Sequence, residues 1–137
     1  WVVPGVGDAG AHVSMIMDAG WSSFFLSYWH RDQQEFSLEQ SINYLTAKQA
    51  RIIGLQDRGS LEMGKRADIN IIDIDQLAER QPIRVQDFPG GAPRFIQRAI
   101  GYQNTIVNGQ VILENDELTG EVGGQIIRNQ SKYSVKG

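Results

Sequence analysis

The stretch Trp1-Val2-Val3-Pro4-Gly5-Val6-Gly7-Asp8-Ala9-Gly10-Ala11-His12 begins as an apolar run and ends in a carboxylate and an imidazole. Trp1, Val2, Val3 and Val6, closed by Pro4, Gly5 and Gly7, predict the end of a buried strand passing into a loop that carries Asp8, Gly10 and His12. An aspartate in such a place can ligate a metal ion or take a proton from water. It can equally cap the next segment or turn the chain. His12 has the same two readings, ligand or hydrogen-bonded structural histidine. A metal site typically needs three or four convergent protein ligands, and an Asp-x3-His pair does not supply them.

Working outward, Trp21 to Arg31 is rich in aromatic residues (Phe24, Phe25, Tyr28, Trp29) and predicts a helix whose bland reading is core. Ser37-Leu38-Glu39-Gln40 has the form of a capping box, after which Leu38, Ile42 and Leu45 share one face. Thr46-Ala47-Lys48-Gln49 repeats the signature, with Ala50 and Ile53 as the inner face and Gly54 as a left-handed stop. The period then changes. Ala67 to Ile74 and Tyr102 to Leu113 are β-branched and alternating, and Asn108-Gly109 predicts a hairpin turn, so the second half reads as mainly β. Leu77 to Pro93 holds Pro82, Pro89, Gly90, Gly91 and Pro93 and reads as a long loop of the kind that often carries function. Gln125 to Arg128 could add an edge strand before a polar tail.

With 41% hydrophobic and 21% charged residues, the 137-residue chain has the composition of one globular domain. Its 16 acidic and 13 basic side chains form no basic stripe, which argues against nucleic acid or an anionic bilayer as partner. The absence of cysteine excludes disulfides and thiolate metal sites and fits a reducing compartment, the cytoplasm by default. No apolar run approaches the roughly 20 residues of a membrane span, and the opening residues lack the features of a signal peptide. A complete (β/α)8 barrel needs roughly 250 residues, more than are present.

Several blocks, in order, carry a resemblance: Gly7-Asp8-Ala9-Gly10-Ala11-His12; Trp29-His30-Arg31-Asp32; Leu45-Thr46 with Ala50-Arg51 and Gly54-Leu55; and Asp57-Arg58-Gly59-Ser60-Leu61-Glu62-Met63-Gly64-Lys65-Arg66-Ala67-Asp68-Ile69-Asn70. Phe88-Pro89-Gly90-Gly91-Ala92-Pro93-Arg94, Val107-Asn108-Gly109 and Leu118-Thr119-Gly120 follow. Together they resemble the C-terminal part of the N-acyl-D-amino-acid deacylase (D-aminoacylase) branch of the amidohydrolase superfamily, from Val2 to about Arg128. The resemblance implies a mixed α/β chain. Residues 1–54 would form the C-terminal end of a metal-dependent (β/α)8 barrel, its last strand and helices. Residues 55–137 would form part of a small β-sandwich with a Pro/Gly-rich loop near 82–93. It also implies hydrolysis of the amide bond of an N-acyl-D-amino acid, a small-molecule substrate, with zinc or another divalent metal as cofactor.

By the same resemblance Asp8 matches the aspartate at the end of the eighth barrel strand, the metal-associated general base and proton shuttle. His12 takes a supporting place beside it as a candidate substrate-binding residue, together with Arg31 and Arg94, which match recurrent arginines able to clamp a substrate carboxylate. Structural ion pairing is the other reading of both arginines. The chain departs from the branch in having Gly7 where serine usually precedes the aspartate and Asn115-Asp116 in place of Asp-Gly in the last hairpin. The branch's His-x-His pair, bridging ligand and two later histidines have no counterpart among the two histidines here. The isolated chain is therefore expected to be inactive and to self-associate through apolar surface that a barrel would otherwise cover. The alternative is a non-catalytic β-rich binding or assembly module derived from an amidohydrolase.

Overall fold

The computed structural model describes residues 2–5, 7–12 and 14–127. Helices come first. α1 (Trp21–Phe24) runs directly into a π-helix (Phe25–Asp32), and α2 (Leu38–Leu45) and α3 (Ala47–Ile52) follow. The expected helix over Trp21 to Arg31 is thus present, but it widens: the Gln33 amide donates to the Tyr28 carbonyl at 2.8 Å, five residues back. The capping box forms as read, with the Gln40 amide donating to Ser37 Oγ and the Ser37 amide to Gln40 Oε1. Rings of Phe25, Phe36 and Tyr44 then lock α2 to the π-helix, with centroids 5.4 to 6.5 Å apart and Tyr44 edge-on to both phenylalanines. Each such pair contributes about 0.5–1.5 kcal/mol beyond its burial.

Three expectations about these helices are corrected. Thr46 makes no cap: its hydroxyl donates back to the Ile42 carbonyl at 2.6 Å, so α3 begins without a capping box. Gly54 does stop α3, with a φ of +79° and the Leu55 amide bonded to Ala50 O at 2.8 Å. The inner faces also differ. Ser41 and Ala50 are buried, whereas Leu38, Ile42 and Ile53 lie more than a third exposed. Phe24, Tyr28 and Trp29 are likewise exposed rather than core. The apolar stripes exist as periodicity requires, but the described residues cover them only in part.

From Ile69 the chain is β, and its strands pair only with each other. They are β1 (Ile69–Ile72), β2 (Ala78–Glu79), β3 (Ile83–Val85), β4 (Arg94–Ile96), β5 (Ala99–Ile100), β6 (Tyr102–Val107), β7 (Gln110–Glu114) and β8 (Glu117–Leu118). The main antiparallel sheet has the order β1-β6-β7-β8. Asn108 and Gly109 both take positive φ, 51° and 84°, as the tight turn between β6 and β7 demands. Asn115 and Asp116 do the same between β7 and β8. Residues before β1 brace the first turn: Asp68 accepts the Asn108 amide at 2.8 Å and Arg66 donates to Asn108 Oδ1 at 2.7 Å.

The segment read as a long loop is a hairpin instead. β2 pairs with β5 and β3 with β4, and a single 3-10 turn (Pro89–Gly91) forms the tip. Pro82 lies between the two paired sections, where a residue without an N–H interrupts the ladder. Two further expectations fail at the ends. Val2 to Gly5 carries no regular structure and Val2 is 88% exposed, because no described strand pairs with this segment; Trp1 and Val6 lie outside the described residues. Gln125 to Ile127 forms no strand, and Arg128 lies outside the described residues.

Helices and strands are joined by specific polar contacts. The Ser23 hydroxyl meets the Tyr102 hydroxyl at 3.0 Å, the Gly20 amide donates to Gln97 Oε1 at 3.1 Å, and Arg31 reaches the backbone before β2. The apolar core is small: Leu26, Ala50 and Leu77 are its buried members among the described residues, and of these Leu77 alone is fully inaccessible.

Candidate functional site

Asp8 stands in a tight loop. The Ala11 amide donates to the Asp8 carbonyl at 3.0 Å, Gly10 takes a φ of +96°, and His12, at a φ of +58°, accepts the Met15 and Ile16 amides on its carbonyl at 2.7 and 3.0 Å. The Asp8 carboxylate is exposed and accepts no hydrogen bond from a described residue. Two contacts from elsewhere fix the loop. Gln49, on α3, donates its side-chain amide to the Pro4 carbonyl, and Asp18 Oδ2 accepts the backbone N–H of Asp8 at 2.7 Å. The remaining oxygen of Asp18, Oδ1, is buried and has no partner among the described residues.

Gly7 has a clear physical role here. A Cβ built on it would lie 2.6 Å from Asp18 Cγ and 2.8 Å from Oδ1, and closer still to Oδ2. The Asp18 carboxylate fills the space of a side chain at position 7. Asp18 and Gln49 escaped the sequence reading. The available signal was the glycine immediately before Asp8, which marks a close approach by something else.

The two arginines are engaged with partners of their own. Arg31 Nη1 donates to the carbonyls of Ile74, Asp75 and Leu77 at 3.1, 3.3 and 2.6 Å, and its Nε donates to Asp32 at 2.7 Å. Asp32 raises the Arg31 pKa further, first by this hydrogen bond, and Arg31 in turn holds the Asp32 carboxyl below its ordinary value. At the hairpin tip Arg94 grips Asp87 with two parallel bonds of 2.7 Å, its guanidinium carbon 5.5 Å from the Phe88 ring centre. That fork depresses the Asp87 carboxyl pKa. No hydrogen bond or ion pair joins Asp8, His12, Arg31 and Arg94 to one another among the described residues. Nor do three or more described histidine, aspartate or glutamate side chains come together as a metal-holding group. Alone, these residues do not fit a metal ion: they offer one free carboxylate at Asp8.

A mixed α/β chain with an exposed aspartate loop ahead of short helices and a terminal set of antiparallel strands is the class that fold and site define. The sequence profile of the amidohydrolase family matches residues 4–113, and the chain belongs to that family. Among curated relatives, a dihydroorotase of Lactobacillus acidophilus (strain ATCC 700396 / NCK56 / N2 / NCFM) is 33% identical over 98 residues, 71% of this chain and 23% of that protein. An N-acyl-D-glutamate deacylase of Alcaligenes xylosoxydans xylosoxydans is 37% identical over 62 residues, 44% of this chain and 13% of that protein. The crystal structure of D-aminoacylase resembles this chain with a TM-score of 0.58 and 26% identity, over 73% of this chain and 19% of that one. A further D-aminoacylase structure, at a TM-score of 0.57, 27% identity and the same coverage, concerns that enzyme's binuclear metal centre. The chain spans between 13% and 23% of the length of these relatives.

Proposed function

We propose that this chain is the C-terminal part of a metal-dependent hydrolase that cleaves the amide bond of N-acyl-D-amino acids, and that it is inactive alone. The observation that carries the reading is the free, exposed carboxylate of Asp8 in a loop pinned by Asp18 and Gln49, in a chain of amidohydrolase sequence. On this reading residues 1–54 complete a barrel, residues 55–137 contribute to a β-sandwich, and the ligands that Asp8 lacks come from outside the described residues. Zinc or another divalent metal, bound there with Asp8 as one ligand, would make water acidic enough to attack at neutral pH. The part of Asp8 is to accept the proton of the attacking water on a carboxylate oxygen and deliver it to the leaving amine nitrogen. His12 supports the loop, and Arg31 or Arg94 would bind the substrate carboxylate, which requires each to exchange an aspartate partner for substrate.

The limited core supports a missing covering partner. The accessible surface is 10370 Å². Even after each undescribed residue is granted the full surface of an unfolded chain, the rest exceeds that of a folded monomer of its mass by roughly a quarter. The exposed apolar side chains of Leu38 and Ile42 on α2 and of Ile52 and Ile53 at the end of α3 are where the barrel, or a second copy of the isolated chain, would pack. No described helix is long and apolar enough to cross a membrane. Composition supports a cytoplasmic location without nucleic-acid or membrane partners, and the resemblance to deacylases supports a small-molecule amide as substrate.

The test is turnover by the full-length hydrolase that carries this segment, assayed on N-acetyl-D-amino acids, their L-enantiomers, dihydroorotate and allantoin. Asp8→Asn should remove most turnover with the fold intact. Near-normal turnover in that variant sinks the role of Asp8. Turnover of the cyclic amides alone moves the substrate class away from acylated D-amino acids.

A further inference from the structure

Gly7 and Asp18 interlock, and the interlock bears on Asp8. Position 7 shows no left-handed φ, so the glycine there is not required by backbone conformation. What a side chain would meet is the Asp18 carboxylate, at 2.6 Å from Cγ and 2.8 Å from Oδ1. That carboxylate reaches over the Gly7 backbone to accept the Asp8 N–H at 2.7 Å, ten residues back along the chain. Its own backbone is tied to the helical segment through the Trp21 amide, which donates to the Asp18 carbonyl at 3.3 Å. Asp18 therefore bridges the start of α1 and the peptide that carries the Asp8 side chain. A charged acceptor on that amide restricts the Asp8 backbone and with it the direction of its carboxylate. The second oxygen, Oδ1, is buried and has no partner among the described residues, an arrangement that costs stability and is not expected of a carboxylate serving only as a turn cap.

We propose that Asp18 is a positioning residue for Asp8: its carboxylate, seated in the space left by Gly7, fixes the Asp8 peptide so that the Asp8 side chain is preorganised for proton transfer. This rests on the catalytic reading of Asp8 given above, but the interlock itself does not, so the two can fail separately. The geometry predicts that removing the carboxylate and filling its seat have one and the same effect.

The experiment is a double-mutant cycle on Gly7→Ala and Asp18→Ala, with Asp18→Asn as the conservative variant. In the 137-residue chain, amide hydrogen exchange at Asp8 should quicken about tenfold in Asp18→Ala and in Gly7→Ala, and the double variant should match either single one. Asp18→Asn keeps an oxygen acceptor and should preserve most of the protection. Unchanged exchange at Asp8 in Asp18→Ala, or single effects that multiply in the double variant, overturns the interlock. In the full-length hydrolase, Asp18→Ala should lower kcat about tenfold with little change in KM, and Asp18→Asn should recover most of it. Equal losses in Asp18→Ala and Asp18→Asn, or a loss confined to KM, overturn the positioning role. Asp8→Asn run alongside separates the two ideas. Full turnover there refutes the catalytic reading of Asp8 and with it any effect of Asp18 on turnover, while the exchange data still decide the interlock.

Discussion

Truncating Leu77 should be among the costliest single changes in this chain. Leu77 is wholly inaccessible to solvent, and its carbonyl is held by Arg31 Nη1 at 2.6 Å, so the backbone around it is poorly placed to collapse into a void. Leu77→Ala removes three carbons, worth about 2.4 kcal/mol at about 0.8 kcal/mol per buried methylene. Incomplete collapse raises the total to about 3–4 kcal/mol, within the usual range for buried leucines. For a domain of this size that corresponds to a fall in Tm of about 10–15 °C. Leu118, 81% exposed, is the internal control, and Leu118→Ala should cost about 0.5 kcal/mol or less. Thermal unfolding followed by circular dichroism, with urea midpoints at constant m, reads both. Equal shifts for the two variants would refute the placement of the core at the junction of helices and strands.

Other expectations follow from the polar contacts. Arg31→Met, which keeps the stem and loses the carbonyl bonds to Ile74, Asp75 and Leu77, should destabilise by about 1–2 kcal/mol after allowance for its partial exposure; an unchanged urea midpoint contradicts the bracing role. The pH dependence has a definite sign. The carboxyls of Asp87, Asp57 and Asp32 are held below their ordinary value, first by hydrogen bonds from Arg94, Arg58 and Arg31 respectively. Their contribution is complete above the unfolded aspartate pKa of about 3.9 and is lost as pH falls through the lower folded values. Tm should therefore be flat from about pH 7 to 5 and decline below about pH 4, and Asp87→Asn should flatten part of that decline. A Tm that rises on acidification would show that these pairs do not form. Ser37→Ala, which removes the side-chain acceptor of the Gln40 amide and leaves the backbone N–H of residue 37 able to donate to Gln40 Oε1, should cost about 1 kcal/mol; a change below experimental error would mean that α2 is held by its other contacts, the aromatic ones first.

Features that depend on neighbours in sequence were legible. The Ser37 to Gln40 cap, the Gly54 stop and the Asn108-Gly109 turn are each specified within a few residues, and the structure contains all three. The Thr46 cap failed because its hydroxyl had a competing local acceptor, the Ile42 carbonyl one turn earlier. The hairpin from β2 to β5 was missed because its pairs lie far apart in sequence, Ala78 with Ile100 at one end and Val85 with Arg94 at the other, while its prolines and glycines look locally like a loop. Inner faces were misassigned for a different reason. Periodicity tells which side of a helix is apolar, not what covers it, and Leu38, Ile42 and Ile53 are only partly covered here.

At the candidate site the same division holds. Asp8 could be picked out because a carboxylate directly after an apolar run is unusual chemistry in a local context. Asp18 could not, since its contact with the Asp8 amide spans ten residues and passes over a glycine that the sequence alone presents as a simple turn former. Gly7 is better understood as a vacancy shaped for a carboxylate. If that is correct, position 7 and position 18 should vary as a unit: a side chain at 7 is tolerated only where 18 no longer reaches across. A library randomised at both positions and selected for turnover by the full-length hydrolase would then return glycine at 7 with an acceptor at 18. Free recovery of larger residues at 7 beside Asp18 would show that the seat is not needed.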